Sequence, residues 1–203
     1  MTTPWLSVIC PTIGRDTLAR TLRSVRRQAP PAAVEVLVVG DTHAGTWAEA
    51  LTPVPLLCAQ YGARYLPHDG GAHCVGHPQR EYGATQARGR WLLWTQDDSI
   101  LLPGAVAAIQ TAVQDGPRGP YLFRAHTWQV GTIWVDRALR LTNVDADMLC
   151  SPNEPARLGA WAREYAGDFA MIRDTVALWG GEAQWHETVI SHGRPKLGDD
   201  WTR

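Results

Sequence analysis

Two nearly continuous apolar strands with an amphipathic helix between them occupy the first forty residues, and this pattern constrains the fold more than any other feature of the chain. Trp5 to Cys10 reads as a buried strand that stops at Pro11-Thr12-Ile13-Gly14, where proline and glycine open a turn. Leu18, Leu22 and Val25 then recur at helical spacing while Arg20, Arg23, Arg26 and Arg27 take other positions, so a helix starts near Asp16 or Thr17, either of which can cap it, and ends at Pro30-Pro31. Val34 to Val39 is a second apolar strand, finishing at Gly40-Asp41-Thr42. Strands apolar on both faces belong in a parallel sheet covered by helices on both sides. The whole makes one βαβ unit of about 35 residues.

Further elements follow in the same alternating style. A short helix is expected over Trp47 to Leu51, a third strand over Ala63 to Leu66, and a Gly- and His-rich loop from Pro67 to His77 that is either mobile or ligand-covering. Pro78 to Ala87 predicts a helix with proline in its first turn, Trp91 to Thr95 a strand, and Ala105 to Val113 a helix. In the second half, Tyr121 to Arg124, Gln129 to Val135 and Phe169 to Arg173 read as strands. They are separated by a loop around Leu149 to Pro155 and a helix near Ala156 to Tyr165.

The segment Trp91 to Ala105, WLLWTQDDSILLPGA, carries the clearest chemistry. An apolar strand runs straight into the adjacent carboxylates Asp97 and Asp98. Two carboxylates at the C-terminal edge of a strand suit a hard divalent cation, because oxygen ligands hold Mg²⁺ or Mn²⁺ and leave positions for phosphate oxygens. That edge is also where open α/β sheets bind ligands.

Composition narrows the function classes. A chain of 203 residues, 45% hydrophobic, supports one well-buried core, so a single domain over 1–203 is expected. A formal net charge of −1 gives no long-range attraction for nucleic acid or anionic membrane. No run approaches the roughly 18 to 20 apolar residues of a spanning helix, and the opening MTTPWLSVICPTIG turns strand-like too early for a signal peptide, so a cytoplasmic location is expected. Cys10, Cys58, Cys74 and Cys150 lack paired spacing and are expected to stay reduced. Most of the ten tryptophans are expected in the core, although several in the second half could offer flat surfaces to a sugar or base.

Taken in order, these pieces resemble a family 2 glycosyltransferase of the GT-A fold, a single Rossmann-like α/β domain with a mostly parallel central sheet flanked by helices. SVICPTIGRDTLARTLRSVRRQ is similar to the family's first strand, Pro-Thr turn and first helix, and VEVLVVGDT to its second strand with the carboxylate that contacts the base. GHPQREYGATQARGRWLLWTQDDSILLPGAV resembles the segment leading into the Asp-x-Asp motif. GDFAMIRDTVALWGGE resembles the later stretch ending in Gly-Gly, and GDDWTR the acidic pair that supplies the catalytic base.

The resemblance implies an inverting transfer of a sugar from a nucleotide-diphosphate sugar, with a UDP-sugar the first donor to expect, to an acceptor hydroxyl. Asp98 would be the metal-binding carboxylate with Asp97 beside it. Pro11, Thr12 and Arg15 would line the nucleotide, Asp41 would accept hydrogen bonds from the base, and Arg80 would sit over the diphosphate. Asp200, with Asp199 beside it, would deprotonate the acceptor. Trp128, Trp134 and the loop from Cys150 to Glu154 would shape the acceptor site. The acceptor itself (glycan, protein, lipid or modified nucleobase) and the oligomeric state are not legible in the residues.

Three departures matter. Gln96 stands where the metal motif has its first acid, Glu81 stands where an Asn usually follows the helix Arg, and the sequence stops soon after Asp199-Asp200, so a histidine ligand would come from upstream, from His192 or His186. These departures keep open a non-catalytic nucleotide-sugar or glycan binding module of the same fold. A metal hydrolase is a weaker rival: in HETVISH, His186 and His192 are six apart and fall on nearly opposite sides of a helix, whereas a helical zinc site needs a spacing of four. His73, Cys74 and His77 could hold zinc but lack a fourth ligand. The Gly-rich, Lys-containing loop of sugar-nucleotide pyrophosphorylases is absent after the first strand.

Overall fold

In a computed structural model, residues 3–71, 75–129 and 131–196 are described. The expected βαβ unit is present as β1 (Leu6–Thr12), α1 (Leu18–Arg26) and β2 (Val34–Asp41), with β1 and β2 parallel from Leu6↔Val34 to Thr12↔Gly40. A short helix α2 (Ala48–Leu51), α3 (Val54–Gln60), β3 (Arg64–His68) and α4 (His77–Gln86) lead to β4 (Trp91–Trp94). β5 (Ser99–Leu101), α5 (Ala105–Asp115), β6 (Tyr121–Thr127), β7 (Gly131–Ile133), β8 (Leu149–Pro152), α6 (Gly167–Leu178) and β9 (Gln184–Gly193) complete the order.

These strands form one sheet in the order β3-β2-β1-β4-β8-β6-β9-β5, with β7 paired to β6. The stretch β3-β2-β1-β4 is parallel throughout. β8 then joins β4 antiparallel and passes the sheet to β6, which pairs parallel with β9. Because β2 and β4 lie on opposite sides of β1, strand order reverses at β1, and the crevice beyond the C-terminal ends of β1 and β4 is the ligand position of such sheets.

The two-sided apolar strands have the predicted cause. Leu6, Val8 and Cys10 of β1 join Val34, Val36 and Val38 of β2 beneath α1, α3 and α5, while Ile9, Leu37 and Val39 face the opposite layer with Trp94, Met171 and Ile172. Helix α4 lies close on that second face because Gly83 has no side chain: a Cβ there would sit 2.5 Å from Ile9 Cγ2.

The second half departs from the sequence reading. Phe169 to Arg173 is expected as a strand, yet it lies inside α6, where Met171, Ile172, Thr175 and Val176 make one buried face. Five apolar-rich residues do not separate strand from helix; the longer window to Gly180-Gly181 does, and both glycines have positive φ. The helix expected over Ala156 to Tyr165 is only a 3₁₀ turn at Pro155–Arg157, after which Gly159 packs so tightly on α6 that its amide donates to Thr175 Oγ1 at 2.9 Å. The expected loop at Leu149 to Pro155 begins instead with the buried strand β8. Its Cys150 and Pro152 pair across β4 and belong to the core. Trp134 is likewise buried, edge-on to Trp185, whereas Trp128 is 56% exposed.

Candidate active site at the edge of strands β1 and β4

The chain leaves β1 through a turn that only glycine permits: Gly14 has φ +85, and a Cβ there would meet the carbonyl of Ala50. This turn returns Thr12, Ile13 and Arg15 to the end of β4. Thr12 Oγ1 donates to Asp97 Oδ2 at 2.7 Å and the Ile13 amide donates to the same oxygen at 3.4 Å. Asp97 is buried, and desolvation pushes its carboxyl above the ordinary range although Thr12 and Arg15 pull it down.

Asp98 is held from two ends of the sequence. Arg15 Nη1 pairs with Asp98 Oδ2, and Arg194 Nε donates to the same oxygen at 2.9 Å. The Arg194 amide also donates to the Asp98 carbonyl at 2.9 Å, extending the β5–β9 pairing by one step. Asp98 Oδ1 is buried and has no partner among the described residues. An orphaned carboxylate oxygen beside Asp97 fits a hard cation that completes its shell with phosphate oxygens. No group of three or more His, Cys, Asp or Glu residues placed to hold a metal occurs among the described residues. His192 therefore completes no such set with the pair; its ring lies 4.6 Å from that of His126, and its Nδ1 is 3.1 Å from the Gly193 carbonyl. The HETVISH segment is strand β9, and His186 packs its ring on Phe123, which removes the helical zinc reading.

Asp41 ends β2, where its Oδ1 accepts from the His43 amide at 3.0 Å. Pro11 and Thr12 close β1, and Pro11 packs against Gly76 at the start of α4. Arg80 points inward: it is buried, its Nη1 donates to the Val75 carbonyl at 2.9 Å, and its guanidinium lies 5.3 Å from the centre of the Trp161 ring. His77, from the first turn of α4, stacks on that indole at 5.0 Å and donates from Nε2 to the Glu164 carbonyl at 3.0 Å. His73, Cys74, Asp199 and Asp200 lie outside the described residues.

The sequence reading missed a second acidic group. Asp145, Asp147 and Asp168 surround Arg80 electrostatically and offset the cost of burying its charge. Burial, then Asp145, pushes Asp147 well up and raises Asp168 to about 6. Gln96 Nε2 reaches Asp145 Oδ1 at 3.4 Å, linking this group to the Asp97-Asp98 pair. A sequence signal existed in Asp145-Ala146-Asp147, an acid-x-acid triplet directly before the apolar run of β8. Arg194 carries no such signal, since only the β5–β9 pairing brings it to Asp98.

A helix-flanked sheet with a carboxylate pair beyond its switch point has the architecture of a GT-A fold. The chain belongs to glycosyl transferase family 2, whose profile matches residues 7–177. No curated protein matches it at a significant level. Among solved structures it is similar to S. aureus TarS, with a TM-score of 0.71 at 15% identity over 96% of this chain and 37% of that one. TarS 1-349 in complex with UDP superposes with a TM-score of 0.71 at 13% identity over 95% of this chain and 60% of that one. The complex of TarS 1-349 with UDP-GlcNAc gives 0.68 at 13% identity over 100% of this chain and 61% of that one. The chain thus spans between about a third and three fifths of the length of these structures. At such identities the likeness concerns the fold. No helix among the described residues is long and apolar enough to cross a membrane.

Proposed function

We propose that this chain is an inverting glycosyltransferase that moves a sugar from a nucleotide-diphosphate sugar to an acceptor hydroxyl, with residues 1–203 acting as one domain. The observation that carries the reading is the buried Asp97-Asp98 pair at the switch point of a family 2 chain, with one carboxylate oxygen left without a protein partner among the described residues. Pro11, Thr12 and Arg15 line the nucleotide side of this crevice and Asp41 is the residue for the base, whereas Arg80, expected over the diphosphate, is buried with its guanidinium beside Trp161. UDP-sugars are the first donors to test, since structures of this fold have been solved with UDP and UDP-GlcNAc.

Asp98, with Asp97 beside it, is the proposed holder of Mn²⁺ or Mg²⁺, which when bound neutralises charge on the departing diphosphate. Asp200, with Asp199 beside it, is the proposed base. It takes the proton of the acceptor hydroxyl as that oxygen bonds to the anomeric carbon, and the bond from that carbon to the diphosphate oxygen breaks with its electron pair going to the nucleotide. A single in-line displacement inverts the anomeric centre. Buried Cys10, Cys58 and Cys150, all unpaired, suit a reducing compartment and support a cytoplasmic location.

The test is a thermal-shift panel of UDP-, GDP-, CMP- and dTDP-sugars with and without Mn²⁺, followed by an assay for slow donor hydrolysis. A shift with one nucleotide together with hydrolysis is expected. A shift without any hydrolysis would favour a binding module, and no shift at millimolar ligand would overturn the reading.

A further inference from the structure

Two arginines from opposite ends of the described chain meet on one carboxylate oxygen, and each spends only part of its guanidinium there. Arg15 comes from the β1–α1 turn and uses Nη1; Arg194 follows β9 and uses Nε. Their side chains remain 42% and 53% exposed, although Asp98 is buried. The other nitrogens of Arg194 make no hydrogen bond to protein among the described residues, and its guanidinium rests 5.6 Å from the centre of the exposed Trp128 ring. An indole under one face fixes the plane of a guanidinium while leaving its N–H edge directed outward.

The backbone is also committed to this placement. Arg194 has φ +50, in the left-handed region that non-glycine residues seldom enter. Its amide bond to the Asp98 carbonyl and its side-chain bond to the Asp98 carboxylate hold it there together. Such local strain, over-determined by neighbours, belongs where an exact side-chain position is used.

We propose that Arg194, with Arg15 opposite, forms an anion clamp that grips the diphosphate of the donor directly, so that pyrophosphate-type ligands bind this chain even without a divalent cation. Arg15 Nη1 also lies 3.4 Å from Asp97 Oδ1, so the two guanidinium groups balance two carboxylates, and what they offer a phosphate is the part of each that stays exposed and makes no bond to the pair. Planar paired donors match phosphate oxygens better than a lone ammonium does, so lysine at 194 is a partial substitute only. The inference rests on the proposed donor class but assigns a residue that neither the sequence pattern nor the family motif supplies.

The experiment measures binding of inorganic pyrophosphate and of UDP, GDP, CDP and dTDP by calorimetry, in EDTA and then in Mn²⁺, for the whole chain and for Arg194→Gly and Arg194→Lys. Glycine accepts the positive φ, so the first variant removes the guanidinium without backbone strain. The clamp predicts pyrophosphate binding in EDTA that weakens about tenfold or more in Arg194→Gly, with partial recovery in Arg194→Lys. It also predicts that Mn²⁺ improves nucleotide affinity by a larger factor in Arg194→Gly than in the parent, because the cation then carries charge the arginine no longer offsets. Equal pyrophosphate affinity in parent and Arg194→Gly overturns the clamp, as does an absence of pyrophosphate binding in the parent. Arginine-dependent pyrophosphate binding with no nucleoside diphosphate bound upholds the clamp and overturns the donor class instead.

Discussion

Gln96 donates its side-chain amide to Asp145 Oδ1 at 3.4 Å, so the residue that replaces the first acid of the metal motif is tied to a carboxylate from the other half of the chain. An acid at 96 would face Asp145 with no proton to share, and the amide is the form that this neighbour accepts. Asp145 in turn takes the amide of Asp147 at 3.5 Å and lies in the group around Arg80.

Replacing Gln96 with Asp should therefore have two opposed effects. In metal-free buffer the variant should lose about 1 kcal/mol of stability, since a half-buried acceptor loses its donor and gains a like charge. Mn²⁺ should return part of that loss, giving a larger metal-induced rise in melting temperature than the parent shows. Identical melts with and without Mn²⁺ in both proteins would place position 96 away from the cation.

The two acidic pairs should divide binding from chemistry. Asp98→Asn should weaken metal-dependent nucleotide binding and leave Arg15 and Arg194 with a poorer acceptor, whereas Asp200→Asn should bind donor normally and lose transfer by about 10² or more. Titration calorimetry and single-turnover transfer on both variants check this. Equal loss of binding and transfer in the two would contradict the division.

Acid stability should reveal Asp168 and His77 as opposing groups. Burial, followed by Asp145, pushes the Asp168 carboxyl up to about 6, while burial, followed by Arg80, pushes the His77 imidazole down to about 4. The folded state therefore holds the Asp168 proton that the unfolded chain releases, and stability from this group is present below the ordinary carboxylate range and lost as pH rises to about 6. His77 works the other way, losing stability as pH falls from the ordinary histidine range toward about 4. Asp168→Asn should exceed the parent by about 1–3 kcal/mol above pH 6, with the gap closing toward pH 4. Urea unfolding across this range tests it; a gap that does not change with pH would assign the effect to packing.

Gly83→Ala should press a methyl group onto Ile9 and Val39, 2.5 and 3.2 Å away, and lift α4 from β1 and β2. The expected cost is about 1–3 kcal/mol, reduced by the better helix propensity of alanine. Denaturant melts measure it. A neutral substitution would mean that α4 shifts along the sheet without penalty.

Much of the parallel half was legible because its signals are local. The apolar runs of β1 and β2, the spacing of Leu18, Leu22 and Val25, and the Trp91–Asp98 segment state their own structure through periodicity and turn residues, and they place Thr12, Asp97 and Asp98 at one sheet edge. The second half was less legible for a physical reason. β8 and the start of α6 are short apolar stretches whose type is decided by what packs on them: β4 and β6 for Cys150, and the approach of Gly159 for Thr175.

The sequence by itself determined the alternating α/β class, the switch-point edge and the carboxylate pair, since each depends on residues close together in the chain. Only the tertiary structure decided which charges meet there. Arg194 reaches Asp98 because β9 pairs with β5. Arg80 turns inward because Trp161 and three distant aspartates stabilise a buried cation. Gln96 is satisfied because Asp145 arrives from beyond β7. Electrostatic partners are chosen by proximity in space within a poorly screening interior, and linear spacing carries no record of that choice.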